Sequence, residues 1–311
     1  MAAVAPDIRD AFFDEIYSIA SKDRDVIFMT ADADAFSLRR YKQDFPSQFV
    51  NVGVAEQNMV AVAAGLALCG KKVFIYALIP FLTMRCYEQI KVNVCSMNLP
   101  VTMIGAGSGL SFTNDGPTHA AIQDIAVMRI LPELTILNPA DSRSAAASAQ
   151  IAYKSTTPTY VRIDKGQLPN LYDDADNFSD GLKVIKPICE TNIISSGFMS
   201  HRAVEVANDL DDHCVPTGVI DLSRLKPING ALLEDIACRS KSLITVEENS
   251  IVGGVGTIVS ELLTDHQIHI PLKRIALRDK QHFDYGSREW IHKLYRLDKD
   301  SIVQEILAWA H

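Results

Sequence analysis

The chain is poor in tryptophan, with two among 311 residues, and poor in cysteine, with six. Cys69, Cys86, Cys95, Cys189, Cys214 and Cys238 form no CxxC pair, so zinc-ribbon and dithiol chemistry find no support, and reduced, buried thiols are expected. His266 and His269 lack partner cysteines, and no metal site is expected. There is no excess of positive charge. The net charge of −8, with acids and bases interspersed, argues against a nucleic-acid partner, which would need a basic face. Long apolar runs are also missing. Val60–Cys69 falls short of the roughly 18 residues of a membrane span, so no membrane partner is expected. Met1 to Arg9 has no charged region followed by an apolar one. A chain without a signal peptide, working in the cytoplasm, is the expectation. No GxSxG elbow is present, so acyl transfer through serine has no support.

What is present is alternation. Ile8, Phe12, Ile16 and Ile19 make one helical stripe over Ile8–Ala20. Short apolar strands are expected at Val26–Thr30, Val73–Leu78, Pro100–Gly105, Leu134–Asn138 and Pro158–Ile163. Helices are expected between them, including Phe81–Val94, Ile122–Met128 and Pro139–Lys154. Strands separated by helices predict a mainly parallel sheet covered on both faces, with ligands beyond the strands' carboxyl ends. Lys165–Lys186, with Pro169 and Asp173-Asp174-Ala175-Asp176, has little periodicity. The alternation then restarts with Asn192–Ser195, Thr217–Asp221, Ser242–Val246 and Leu272–Ala276. The expected fold class is α/β, two doubly wound domains, at 1–167 and 188–311 with a linker over 168–187.

The organising stretch is Asn51-Val52-Gly53-Val54-Ala55-Glu56-Gln57-Asn58-Met59. The helix it opens carries no charge through Leu68, and a helix apolar all round is expected to be buried. Glu56 would then be a carboxylate at the mouth of a buried helix, where burial disfavours its charge. The plainer reading is a first-turn glutamate answering the helix dipole. The densest polar loop, Ser111-Phe-Thr-Asn-Asp-Gly-Pro-Thr-His119, follows a strand end, and Gly116-Pro117 rules out a regular helix between Asp115 and His119. Asp32 and Asp34 could pair as carboxylates, though a solvated turn accounts for them. Gly253-Gly254-Val255-Gly256 could cradle an anion at a helix start, but close backbone packing is the favoured reading, because no nucleotide fingerprint is matched.

Taken together, Gly53-Val-Ala-Glu56-Gln, Glu88-Gln89, Asn114-Asp-Gly-Pro-Thr-His119 and Leu137-Asn-Pro-Ala-Asp141 resemble the pyrimidine-binding domain of transketolases. Val219-Ile-Asp-Leu-Ser-Arg-Leu-Lys-Pro227, Val246-Glu-Glu-Asn249 and Gly253-Gly-Val-Gly256 resemble their C-terminal domain. The related 1-deoxyxylulose-5-phosphate synthases share this architecture. The N-terminal domain of full-length transketolases, marked by Gly-Asp-Gly and downstream paired asparagines, has no counterpart here. The resemblance therefore implies the small subunit of a split transketolase. It would share thiamine diphosphate with an N-terminal subunit that holds the diphosphate and Mg2+, in an α2β2 assembly acting on sugars or sugar phosphates.

The resemblance also implies roles. Glu56 matches the carboxylate that bonds N1′ of the aminopyrimidine and favours its imino form. Phe81 matches the ring stacked on that pyrimidine, with core packing as the plainer alternative. His119 matches a histidine near the reacting carbon of the sugar, and Asp115 a residue bonding a substrate hydroxyl. Arg162, and less directly Arg40, match arginines that bind sugar phosphate, where a planar charged fork suits the oxygens. Ala106-Gly107-Ser108 stands where the family often has a phosphate-holding histidine. That departure allows for a modified, branched or non-phosphorylated sugar. Within the fold the alternatives are the beta subunit of a 2-oxoacid dehydrogenase's first component and a deoxyxylulose-phosphate-synthase-like carboligase. A non-catalytic scaffold subunit is the alternative from another class.

Overall fold

The computed structural model describes residues 6–173 and 175–310; Asp174 of the acidic stretch lies outside them. The chain forms two compact units, Met1–Ser108 with Val127–Ser179, and Gly109–Ala126 with Asp180–His311.

In the first unit the strands are β1 (Val26–Thr30), β2 (Phe49–Asn51), β3 (Lys72–Leu78), β4 (Val101–Ala106), β5 (Thr135–Leu137) and β6 (Thr159–Ile163). They lie in the order β5-β6-β4-β3-β1-β2, and every pair is parallel. Their apolar runs are buried on both faces, as parallel strands under helices must be; β4 is buried at all six positions. Helix Ile8–Ala20 presents the expected stripe, with Ile8, Phe12, Phe13, Ile16 and Ile19 buried. It packs on helix Ser142–Lys154, whose small residues Ala145, Ala149 and Ala152 let the two axes approach. Strand order reverses between β1 and β3, and such a reversal opens a crevice at the carboxyl ends. Glu56 follows β2 and Phe81 follows β3, so parallelism alone brings both to that rim.

The second unit holds β7 (Lys183–Lys186), β8 (Thr191–Ser195), β9 (Thr217–Asp221), β10 (Arg224–Lys226), β11 (Ser242–Ser250) and β12 (Leu272–Leu277). Its five-stranded sheet runs β12-β11-β8-β9-β7, parallel except for β7 against β9. The core gathers Ile193, Val206, Leu210, Val219, Ile244, Ile291, Ile302 and Ile306.

Five local expectations are corrected. The helix expected over Phe81–Val94 is broken into Ile79–Thr83, a turn at Tyr87–Gln89 and a π-helical stretch at Ile90–Cys95. The Cys86 thiol donates to the Phe81 carbonyl at 3.2 Å, and Arg85 N reaches back to Pro80 O, so the regular ladder is lost at residues 84–86. The helix Glu56–Leu68 is buried on one side only. Met59, Val60, Ala63 and Ala67 face inward, while Val62 is 41% and Leu68 60% exposed. Where every residue is apolar, the pattern cannot choose a face, and packing chose it. The helix Phe36–Asp44 is an addition; it is polar in character, and only Ser37, Leu38 and Tyr41 are buried. The unpatterned stretch before the second sheet ends in β7, an edge strand with no fully buried position and hence no apolar signature. Finally, the six cysteines are free, but only Cys86 and Cys95 are buried. Cys69, Cys214 and Cys238 are exposed, because each falls at or just past the end of a helix, where the chain turns outward.

Asp141 shows how a motif residue can be purely architectural. It is fully buried and caps helix Ser142–Lys154 in a box with Ser144. Its second oxygen accepts from the backbone N–H groups of Leu171 (2.6 Å) and Tyr172 (2.8 Å), tying the following loop to the helix start. Replacing Asp141 by alanine removes a cap worth about 1 kcal/mol and strands two further donors. The expected loss is about 2–4 kcal/mol, read from the urea midpoint; a change below about 0.5 kcal/mol would contradict this role.

Candidate active site

Glu56 is the first residue of its helix and is only 4% exposed. Ala55 before it offers no side-chain cap. Its Oε2 accepts from Arg85 Nη1 at 2.8 Å. The same guanidinium lies over the Phe81 ring, 4.4 Å from its centroid. Gln57 Nε2 donates to the Arg85 carbonyl at 3.1 Å and so fixes the broken turn against the helix start. A carboxylate that loses water must gain a cation or hydrogen bonds, and Arg85 supplies both. Cys86 stands beside this pair. Burial pushes its thiol up to about 12, with the Glu56 charge adding to the effect, so it remains a neutral packing group.

Asp115 and His119 belong to the loop that leaves β4, and this loop is part of the second unit. Asp115 closes a 3-10 turn, Thr113–Asp115, and is exposed; Gly116 follows with φ of 84°, a conformation that favours glycine. A Cβ there would also strike the Tyr285 ring at 2.3 Å. His119 is half-buried, and its Nδ1 meets Thr118 Oγ1 at 3.0 Å.

Both ends of this loop are held by the end of β11. Glu248 Oε2 accepts from Leu110 N at 3.1 Å. Ser250 N donates to the Ile122 carbonyl at 2.8 Å, and Asn249 Nδ2 to Ala121 O and Asp124 Oδ1. Thr113 Oγ1 donates to Gly286 O at 2.8 Å. Glu248 is itself clamped by Arg288, through two 2.6 Å bonds, and by His292 Nε2. Arg288 lies flat on Phe198, 3.4 Å from its centroid. Burial alone would raise the Glu248 pKa, but the charges of Arg288 and His292 with their hydrogen bonds outweigh it and hold the carboxyl far below its usual range. The sequence motif Val246-Glu-Glu-Asn249 flagged these positions without revealing the job of each.

The arginines take partners that their spacing does not show. Arg162 is 2% exposed within β6, and its Nη1 donates to Asn138 Oδ1 at 3.1 Å, so it braces neighbouring strand ends. Arg40 turns toward the first helix, pairing with Asp14 at 3.5 Å and stacking on Tyr17 at 3.8 Å. Its neighbour Arg39 is the one that lines a cavity of about 300 Å³ beyond β1 and β2, beside Asp32, Asp34 and Asn51. Arg39 pairs with Asp34 at 3.2 Å, so Asp32 and Asp34 do not form a mutual pair. The anion cradle at Gly253–Gly256 is filled by the chain itself: Glu247 accepts from Val255 N and Gly256 N, both at 2.8 Å. Sequence reasoning missed Arg85 and the job of Glu248, because each acts through partners about 30 to 140 residues away along the chain. Among the described residues no group of three potential metal ligands occurs, and no helix is long and apolar enough to cross a membrane.

Residues 4–170 match the family described as "Transketolase, pyrimidine binding domain", and residues 181–302 match "Transketolase, C-terminal domain". The chain belongs to the transketolase family. It is 31% identical to the B subunit of the apulose-4-phosphate transketolase of Phocaeicola vulgatus, over 97% of each chain. It is 29% identical to "6-deoxy-6-sulfo-D-fructose transketolase subunit SqwH" of a Clostridium species, over 88% of this chain and 85% of that one. Among solved structures it resembles one titled "Split gene transketolase, inactive beta4 tetramer", with a TM-score of 0.86 and 28% identity over 98% of each chain. The two transketolase domain families meet the chain on either side of residues 171–180.

The Glu248 clamp makes an acid prediction. A carboxyl whose pKa is lowered by folding stabilises the fold above its unfolded value of about 4.3, and that stability is lost as pH falls toward the folded value. Glu248→Gln is therefore expected to be less stable at neutral pH by about 2–4 kcal/mol, and to lose less between about pH 5 and pH 2 than the parent. Thermal melts across that range check this; parallel pH profiles would overturn it.

Proposed function

We propose that this chain is the pyrimidine-side subunit of a two-chain transketolase that moves a two-carbon ketol unit from a ketose to an aldose with thiamine diphosphate. The observation that carries the reading is the buried Glu56 receiving a planar nitrogen donor that lies on Phe81. The Arg85 guanidinium stands in for a flat, N–H-bearing ring: it stacks on the aromatic face and donates to the carboxylate, as an aminopyrimidine would. The residues thus fit the group.

When bound, the coenzyme supplies the electron sink for the carbon–carbon bond that breaks. Glu56 Oε2 holds a proton at a pyrimidine ring nitrogen and fixes the tautomer. Phe81 sets the plane of the ring. Arg85 turns out toward solvent, where 43% of its side chain already lies. His119, oriented through Thr118, exchanges a proton with the sugar oxygens, and Asp115 bonds a sugar hydroxyl. Arg162 braces the rim of the first sheet, and the basic groups lining the cavity beyond β1 and β2, Arg39 and Lys42, take the place read for Arg40.

The diphosphate and Mg2+ fall to an N-terminal partner subunit in an α2β2 assembly. The exposed apolar surface at the Glu56 helix supports a covering partner, with Val54 just before it at 74% and Val62 and Leu68 on it at 41% and 60%. The relative named as one subunit of a transketolase and the relative solved as a beta4 tetramer support the same division of labour. Ala106, Gly107 and Ser108 are buried, and Ser108 Oγ donates to Asp164 at 3.2 Å, so this corner offers no phosphate grip. With relatives named for apulose-4-phosphate and for a 6-sulfo sugar, this supports a substrate outside the common sugar phosphates.

Glu56→Gln, assembled with the partner, is expected to lose about 10²–10⁴-fold in turnover while its melting temperature holds; near-normal rates would remove Glu56 from the mechanism. Alone, the chain is expected to bind thiamine diphosphate weakly, because the diphosphate grip is on the partner. Tight binding by calorimetry without the partner would refute the two-chain reading.

A further inference from the structure

The second unit carries a cavity of about 370 Å³ that the catalytic reading does not use. It opens beyond the carboxyl end of β12, against the end of helix Arg288–Tyr295 and one flank of helix Lys299–Ala310. Its twelve lining residues include four of fixed positive charge, Arg274, Arg278, Lys280 and Arg296, together with His282. The single acid, Glu305, is already neutralised by Lys273 at 2.9 Å. Arg278, Lys280 and Arg296 form no ion pair with any described residue. In a chain of net charge −8, four like charges around one cavity are a local reversal of the whole. They repel one another unless a counter-charge enters.

Two buried nitrogens lie beside the cavity. Arg274 Nε and His282 Nδ1 are shielded from solvent and have no hydrogen-bond partner among the described residues, while Arg274 Nη2 donates to the Ile251 carbonyl. Buried polar groups are normally satisfied, so Arg274 Nε, which can only donate, is left beside this cavity without its acceptor. His282 Nε2 donates to the Arg278 carbonyl at 3.1 Å, which leaves Nδ1 of the neutral ring as an acceptor, suited to a hydroxyl of the ligand. Its ring packs edge-on against Tyr295, 4.4 Å between centroids, and Lys280 lies over the Tyr295 ring at 5.6 Å. Arg296 ends its helix in the left-handed region at φ 60°, a position where glycine or asparagine costs less.

We propose that this cavity binds a small, multiply charged phosphate compound, a diphosphate or a metabolite with two phosphate groups. The volume suits a small molecule and not a macromolecule. The two unpaired guanidiniums, Arg278 and Arg296, are planar forks that match tetrahedral phosphate oxygens, with Lys280 as a third charge. The site lies wholly within one unit and does not depend on the assignment of Glu56.

The test is calorimetry on the full chain with magnesium-free inorganic pyrophosphate, with citrate as a carboxylate of comparable charge. Single-site binding to pyrophosphate is expected, weakening with added salt. Arg278→Gln combined with Arg296→Gln, two exposed positions that leave the core untouched, is expected to weaken it at least about tenfold. Lys280→Gln gives a second, smaller loss, and Glu56→Gln leaves binding unchanged. No saturable binding, equal affinity in the arginine variants, or citrate binding as tightly as pyrophosphate would each overturn the proposal.

Discussion

The hydrogen-bonded ion pair between Glu56 and Arg85 is the point on which the rest of the first unit turns. A carboxylate at 4% exposure is tolerable only with a charged donor in reach. That donor arrives because the chain after β3 fails to form one smooth helix. Pro80 starts a short turn, Cys86 takes a carbonyl from the ladder, and Arg85 swings back over Phe81 to the Glu56 helix. Gln57, the next residue, ties the displaced turn down. Helix start, broken helix and aromatic face are therefore one device, built at the reversal point of a parallel sheet.

The second unit solves a different problem, the holding of a long polar loop. Three successive residues of β11 do three jobs. Glu247 caps a helix start, Glu248 grips the loop's first residues, and Asn249 grips its last. Each is at most 5% exposed, so each bond is made in a setting where water cannot substitute for it. The loop that carries Asp115 and His119 is thereby anchored by the C-terminal half of the chain. On the proposed reading that half would share in the chemistry without contributing a reacting group.

The parts also explain where function can vary. On the proposed reading, Glu56 and Phe81 at the sheet rim would address the coenzyme. On the same reading the loop at residues 106–119 and the polar cavity near Arg39 would address the sugar, and Ser108 in that loop is turned to Asp164. Substrate choice can then drift while the coenzyme end stays constant, a separation that loops on a fixed scaffold make cheap.

Much was legible in the chain itself. Apolar runs between amphipathic helices dictated two parallel α/β units, because only such strands are buried on both faces. The motif around Glu56, the loop ending at His119 and the glycine at 116 were all visible, since each depends on local backbone geometry or a fixed residue type. Tertiary structure decided the rest. An all-apolar helix has no pattern to say which side faces out, so the exposure of Val62 and Leu68 could not be read. Arg85 and Glu248 take their meaning from partners brought close by sheet topology and not by spacing. Arg40 and Arg39 differ by one position, and a one-residue rotation on a polar helix is invisible until packing picks the buried face. Residue types and periods thus settled what the elements are, and long-range contacts alone settled which side chains meet.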